Sequence, residues 1–195
     1  MAKKDYSDGL SFYKRKKKIS YKAVHEVLSW LLSVLITVFL ATALVMLFGM
    51  EVFMAGSSMR PGIEPEQDLL IDRFSYVLGK PHAGHVVIFL PNGNENSYYY
   101  TKRVVACPGD TVQIKNGRLY VNGELSEYIE SYISDPGIAE NELTLENNEY
   151  FLMGDNPSES EDSRSSGIGP VLLTDIKGHV WFKLPVEGGK MGIVR

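Results

Sequence analysis

Apolar residues are concentrated in one uncharged run from Val27 to Met50, which is 24 residues long and rich in Leu, Val, Ile, Phe and Ala. An α-helix rises about 1.5 Å per residue, so this run would reach roughly 36 Å and could cross a hydrocarbon core of about 30 Å. The apolar core of a cleavable secretory signal, which is the alternative interpretation, is usually only about 7 to 15 residues long. The pattern therefore predicts a permanent transmembrane anchor over residues 27–50.

Beyond this run, short stretches rich in β-branched and aromatic residues alternate with turn residues, and no long stretch has the helical period of 3.6. The Asn116-Gly117 pair tolerates positive φ angles and predicts a two-residue hairpin turn. These features predict an all-β domain over residues 51–195, built as a barrel or a sandwich, with an acidic excursion at residues 124–148. The predicted strands are Leu69 to Phe74, Val86 to Leu90, Tyr98 to Ala106, Thr111 to Lys115, Arg118 to Val121, Tyr150 to Met153 and His179 to Leu184.

The segment from Val52 to Met54 continues the apolar character of the chain past Glu51. Two interpretations fit this pattern equally well. The segment is either in contact with the membrane surface or it is a buried first strand of the β domain.

Charge is distributed unevenly along the chain. Residues 1–24 carry eight Lys and Arg against Asp5 and Asp8, a net charge of +6, and the net charge of −4 for the whole chain then leaves −10 for the remainder. A basic arm could bind nucleic acid, but the apolar run that follows at once favours a membrane flank and no nucleic-acid partner. By the positive-inside rule, residues 1–26 are cytoplasmic and the domain from residue 51 onward is extracytoplasmic.

Three polar segments are candidates for chemistry. The first, Gly56 to Pro61, places small residues around Ser58 just after the anchor. In the second, Lys102 and Arg103 are adjacent in a predicted strand, so their side chains point to opposite faces. The third, residues 154–167 with the sequence GDNPSESEDSRSSG, is dense in hydrogen-bonding side chains. Taken singly, each segment also fits an ordinary structural role as a turn, a solvent-facing ion pair or a flexible loop.

A serine hydroxyl becomes a good nucleophile only when a neighbouring base takes its proton, and that base is usually histidine. The chain has four histidines, none of them in a recognisable Ser/His/Asp signature: His25, His82, His85 and His179. Lysine can replace histidine only when it is neutral, which requires burial to lower its pKa by roughly 2 units from about 10.4. Lys102, in Val-, Ala- and Tyr-rich sequence, is the best candidate, because Arg103 stays protonated.

In order and spacing, the three segments resemble the conserved boxes of bacterial type I signal peptidases. Those boxes read Ser-Met-x-Pro, Lys-Arg-Val-x-x-x-Pro-Gly-Asp and Gly-Asp-Asn-x-x-x-Ser-x-Asp-Ser-Arg-x-x-Gly, and here they begin at Ser58, Lys102 and Gly154. The resemblance extends from the anchor to about Val186. It implies that Ser58 is the nucleophile and Lys102 the general base.

The third box supplies the residues that support the site. By the resemblance, Ser160 orients the lysine amine, and Asp162 and Arg164 form an ion pair that braces the loop. Asp155 and Asn156 belong to the same box and are expected to support the site as well.

Gly56 marks a departure from part of the family. Some members have a serine two residues before the nucleophile and use its hydroxyl in the oxyanion hole, whereas members with a single membrane span commonly have glycine there. The hole would then depend mainly on the backbone N–H of Ser58.

Membership of this family would make the protein a membrane-bound serine endopeptidase that removes signal peptides from exported preproteins after small residues at positions −1 and −3. Its expected partners are these preproteins and the lipid bilayer of the cell membrane, and no cofactor or metal is implied. The single cysteine excludes an intramolecular disulfide, and no Cys/His cluster has zinc-ligand spacing. One alternative is a membrane-tethered binding protein with an inactive site. The other, a self-cleaving Ser/Lys repressor, needs a DNA-binding head where this chain has an apolar run.

Overall fold

A computed structural model describes residues 20–187 and 189–194 of the chain. Helix α1 runs from Tyr21 to Phe48, and its stretch from Tyr21 to Val45 is long and apolar enough to cross a membrane. Within it, the hydroxyls of Ser33, Thr37 and Thr42 each donate to the carbonyl four residues earlier, which satisfies these polar groups inside the helix. The basic residues 3–18 of the predicted cytoplasmic segment lie outside the described residues.

The chain divides into two compact units, residues 1–43 and residues 44–195. Helix α1 ends two residues before the end of the predicted anchor, because Gly49 and Met50 belong to the first strand. The segment after the helix, for which two interpretations were open, is therefore a strand in the structure. Its residue Val52 is partly buried and packs against the core, whereas Phe53 is exposed.

The second unit is built mostly of β-strands, as the sequence predicted, and its described residues also form a short α-helix, α2 (Ser75–Leu78), and four 3-10 helices. Its strands among the described residues are β1 (Gly49–Phe53), β2 (Asp68–Asp72), β3 (Val86–Phe89), β4 (Tyr100–Ala106), β5 (Thr111–Lys115), β6 (Arg118–Val121), β7 (Glu124–Leu125), β8 (Leu143–Thr144), β9 (Glu149–Met153), β10 (Val171–Leu172), β11 (Ile176–Lys183) and β12 (Gly192–Ile193). The larger sheet has the order β1-β2-β11-β3-β4-β9-β10, with β12 beside β11, and the smaller sheet has the order β7-β6-β5-β8. Neighbouring strands are antiparallel in both sheets.

The hairpin predicted at Asn116-Gly117 is confirmed. Both residues have positive φ angles, 54° and 70°, and Lys115 pairs with Arg118 across the turn. The predicted limits of β5 and β6 are correct, whereas β2, β3, β4, β9 and β11 differ from the prediction at one or both ends.

One core cluster fixes the first polar segment behind Ser58. Met59 and Ile63, one and five residues after Ser58, have no exposed surface and pack with Leu69, Ile71 and other side chains of the larger sheet. Burial of each such side chain contributes about 1.5–3 kcal/mol. The turn that carries Ser58 is thus anchored on its far side by the hydrophobic core.

Candidate active site

Ser58 lies on a turn just after strand β1. Gly56 has a φ of +79°, a conformation that residues with a Cβ rarely adopt, and it allows the chain to turn before the serine. Ser58 is 7% exposed, and its carbonyl accepts a hydrogen bond from the backbone N–H of Asn156 at 2.9 Å. The Asn156 side chain also donates to the Ser57 carbonyl at 3.5 Å, so the first and third polar segments are in contact.

Lys102 is in the middle of strand β4, which pairs with β3 on one side and β9 on the other. Its side chain is buried, and its Nζ donates to Ser58 Oγ at 2.7 Å. Burial lowers the pKa of Lys102 to about 8, although Asp162 and Glu161 oppose this shift. At pH 7 about a tenth of the lysine is then neutral, and in that form its nitrogen can accept the serine proton.

Arg103, the next residue on β4, forms a bidentate ion pair with Asp155. The Nε–Oδ1 and Nη2–Oδ2 distances are both 2.7 Å, and both side chains are 11% exposed. Arg103 Nη1 also donates to the Gly84 carbonyl at 2.7 Å. The ion pair therefore links the third polar segment to the strand that carries Lys102.

Asp162 and Arg164 form the ion pair that the resemblance implied. Nε of the arginine is 2.8 Å from Oδ1 of the aspartate, and Nη2 is 3.0 Å from Oδ2. The exposed fractions of the two side chains are 8% for Arg164 and 0% for Asp162. The guanidinium also donates to the carbonyls of Pro157 and Ser160 in the loop and of Asp135 outside it, so one buried side chain joins the loop to the segment around residue 135.

Ser160 is placed differently from the expectation. Its hydroxyl donates to Asp162 Oδ2 at 2.6 Å, and no hydrogen bond joins it to Lys102 in the described part of the chain. The reason is local, because the carboxylate two residues further on is a charged and stronger acceptor. A role of Ser160 in orienting the amine stays a prediction.

An open cavity of about 320 Å³ lies beside the serine and the lysine. One side of it is formed by Met54 to Ser58, another by Tyr98 to Lys102, and the third by Glu159 and Glu161. Among residues 20–187 and 189–194, no group of three or more His, Cys, Asp or Glu side chains is arranged to hold a metal ion. We refer to this open cavity next to Ser58 as the groove.

Comparison with known proteins identifies the family of the chain. The family model described as "Signal peptidase, peptidase S26" matches residues 27–184, which include helix α1 from its seventh residue and nearly all of the β domain. The chain belongs to this family. It is a serine endopeptidase of the signal peptidase I type, and its reaction is the removal of signal peptides.

Several curated relatives of the peptidase are also signal peptidases. Signal peptidase I P of Bacillus subtilis subsp. natto is 33% identical over 177 residues, which cover 86% of this chain and 91% of that protein. Signal peptidase I of Bacillus licheniformis is 31% identical over 171 residues, covering 79% of this chain and 86% of that protein. A crystal structure of a signal peptidase I from Enterococcus faecalis V583 covers 52% of this chain and 97% of its own, with 25% identity and a TM-score of 0.39.

Besides the Arg103–Asp155 pair, two more contacts of the peptidase's site were not predicted from the sequence. Gly154 has no room for a side chain, because an added Cβ would lie 2.4 Å from Ser160 Oγ and 2.5 Å from the Ser58 carbonyl oxygen. The Ser57 hydroxyl donates to Glu159, across 102 positions of sequence. The conserved glycine of the third box could have signalled the first contact, whereas nothing in the sequence pattern signals the second.

Proposed function

We propose that the peptidase cuts exported preproteins through an acyl-enzyme, with Ser58 as nucleophile and Lys102 as neutral general base. The observation that carries this proposal is the 2.7 Å contact between Lys102 Nζ and Ser58 Oγ, made by two buried side chains. Within this pair, burial keeps the pKa of the lysine at about 8, so that the amine can accept a proton near neutral pH.

In the proposed reaction, neutral Lys102 takes the proton of the Ser58 hydroxyl as Oγ attacks the carbonyl carbon of the scissile bond. The ammonium so formed gives this proton to the leaving amine, and the bond between the signal peptide and the mature protein breaks. The signal peptide is then esterified to Ser58. Lys102 next takes a proton from water, which attacks the ester and releases the signal peptide, and the lysine returns that proton to Ser58 Oγ. The backbone N–H of Ser58 is the proposed oxyanion donor.

The proposed substrate binds in the groove between Met54 to Ser58 and Tyr98 to Lys102. An extended peptide directs alternate side chains to the same side, so pockets on one wall would select residues −1 and −3 together. The groove is partly lined by the bulky side chains of Tyr98, Tyr99 and Tyr100, which favours small residues at those two positions.

The proposed location is the cell membrane, with residues 1–26 cytoplasmic and the β domain extracytoplasmic. The length and apolar character of α1 and the +6 charge of residues 1–24 support this orientation. Protease added to intact spheroplasts should degrade the β domain and leave an N-terminal tag intact. Degradation of the tag would contradict the orientation.

The mechanism is tested by cleavage of a preprotein in detergent by purified variants. Ser58→Ala and Lys102→Ala should each reduce turnover to near background, and the double variant should be scarcely worse, because the two residues act as a unit. Lys102→Arg should be equally inactive, since guanidinium cannot accept a proton near neutral pH. Lys177→Ala, at a partly exposed lysine that donates to the Thr174 carbonyl, is the matched control and should keep full activity. Substantial activity of Lys102→Arg would contradict the proposal.

A further inference from the structure

Two side chains beside Lys102 have no assigned part in its proton transfer. Glu161 occupies the variable position between Ser160 and Asp162 in the third box. Tyr100 precedes Lys102 by two residues on strand β4, so the two side chains are on the same face of the sheet.

Tyr100 links Glu161 to the lysine. Its hydroxyl donates to Glu161 Oε2 at 3.4 Å, and the Lys102 Nζ lies 5.7 Å from the centre of its ring. Tyr100 and Glu161 both line the cavity beside Ser58. The tyrosine therefore holds a carboxylate at the edge of the groove, close enough to Lys102 to favour its charged form.

We propose that Glu161, held by the Tyr100 hydroxyl, is a positioning residue that stabilises the ammonium form of Lys102 and thereby raises the lower pH limit of the reaction. This inference rests on the proposed role of Lys102 as general base. The ammonium is the form that the lysine takes while it carries the Ser58 proton, so the same carboxylate assists proton abstraction.

Other charges act on Lys102, but they are paired. Asp162 and Asp155 also favour its ammonium form and Arg164 disfavours it, while burial has the largest effect and lowers the pKa. The two aspartates each contact an arginine, Arg164 for the first and Arg103 for the second. Their charges are therefore largely neutralised at close range.

Glu161 differs from these aspartates because the group that holds it is neutral. The ion pairs found among the described residues do not include it, and its contact is the Tyr100 phenol, whose pKa is raised by burial and by Glu161 itself. Glu159 borders the same cavity but is held by the Ser57 hydroxyl, on the side of the nucleophile. It has the same charge without the link to Lys102, which makes it the matched control.

The sign of the effect follows directly. A carboxylate that stabilises the ammonium raises the pKa of Lys102, so more of the lysine is protonated at a given pH and activity is lost at a higher pH on the acidic side. Removal of the charge should move that loss to lower pH. Because Glu161 is exposed, we expect a modest shift of about half a pH unit, which corresponds to about threefold more activity on the acidic side of the profile.

The test is the pH dependence of kcat/KM between about pH 5.5 and 9, measured with a preprotein-derived peptide that is uncharged around the cut. Glu161→Gln should move the acidic limb to lower pH, and Tyr100→Phe should move it in the same direction by a smaller amount. The controls Glu159→Gln and Tyr98→Phe, the latter at a tyrosine that is 89% exposed, should leave the limb in place. An unchanged limb in Glu161→Gln, or an equal shift in Glu159→Gln, would overturn the inference.

The two proposals fail in different ways. If Lys102→Ala retained activity, the general base itself would be wrongly assigned. If Lys102→Ala were inactive while Glu161→Gln had the wild-type pH profile, the base would stand and only the role of Glu161 would be lost.

Discussion

Removal of the Asp162 carboxylate should destabilise the β domain more than any change at a surface ion pair. In the structure this carboxylate accepts five hydrogen bonds, and its side chain has no exposed surface. Its donors are the backbone N–H groups of Gly154 and Arg164, the Ser160 hydroxyl, and Nε and Nη2 of Arg164. Asp162→Ala would leave Arg164 buried and charged without its counter-ion.

The magnitude of this effect follows from burial. Loss of one partner from a buried ion pair costs about 3–5 kcal/mol. Arg164 would keep its contacts with three backbone carbonyls, so we expect the lower end, about 3 kcal/mol. For a chain of this size each kcal/mol changes Tm by about 2–4 °C, which gives a decrease of about 6–12 °C.

Thermal unfolding in detergent and preprotein cleavage below Tm provide the assay. The control is Glu64→Gln, which breaks the Arg60–Glu64 pair, whose side chains are 54% and 30% exposed. That pair should contribute less than about 1 kcal/mol, so its loss should barely change Tm. Asp162→Ala should lose activity as well, because the loop it holds contacts Ser58. A Tm for Asp162→Ala within the range of the control would refute this reasoning.

Three further predictions concern the loop and the histidines. Gly154→Ala should abolish cleavage, because the added Cβ would lie 2.4 Å from Ser160 Oγ. The control Gly167→Ala should stay active, because its added Cβ would lie 3.6 Å from the nearest atom. Ser160→Ala should lower turnover with little change in Tm, because it removes one hydrogen bond at the edge of the site; early melting with full activity would make it part of the scaffold only. Burial lowers the pKa of His85 and His179, whose rings stack at 4.5 Å, below the usual 6.5. As the pH falls, the histidines of the unfolded chain take up protons before those of the folded protein. The free energy of unfolding should therefore be constant just above pH 6.5 and decrease below pH 6.5. His179→Gln should weaken this pH dependence, and an unchanged dependence in that variant would contradict the prediction.

Features of the fold that depend on local chemistry could be predicted from the sequence. The Asn116-Gly117 turn and its flanking strands are examples, because positive φ angles and alternation act over a few residues. Strands of two residues, such as Glu124–Leu125 and Gly192–Ile193, are too short to show a period and were not predicted. The order of strands was not predicted either, because it depends on packing between distant segments, as in the pairing of β11 with β2 and β3.

In the candidate site, too, the residue types could be predicted from the sequence, whereas contacts between distant segments could not. The resemblance of the third box implied the Asp162–Arg164 pair, whose members are two positions apart in one segment. The partner of Arg103 is Asp155, 52 positions away, and no pattern within either segment identifies that pair. The position of Ser160 was predicted less well, because a hydroxyl has several acceptors in reach and the nearest carboxylate competes with the lysine.

The central claim is that Lys102 activates Ser58, and the most direct test is the pH dependence of acylation by a serine-directed inhibitor, followed by mass mapping of the labelled residue. We predict labelling of the wild type at Ser58, with a rate that rises with pH through an apparent pKa near 8, the value for the buried lysine. Lys102→Ala should fold with a similar Tm and remain unlabelled. Labelling of another residue, or labelling of Lys102→Ala at the wild-type rate, would contradict the account.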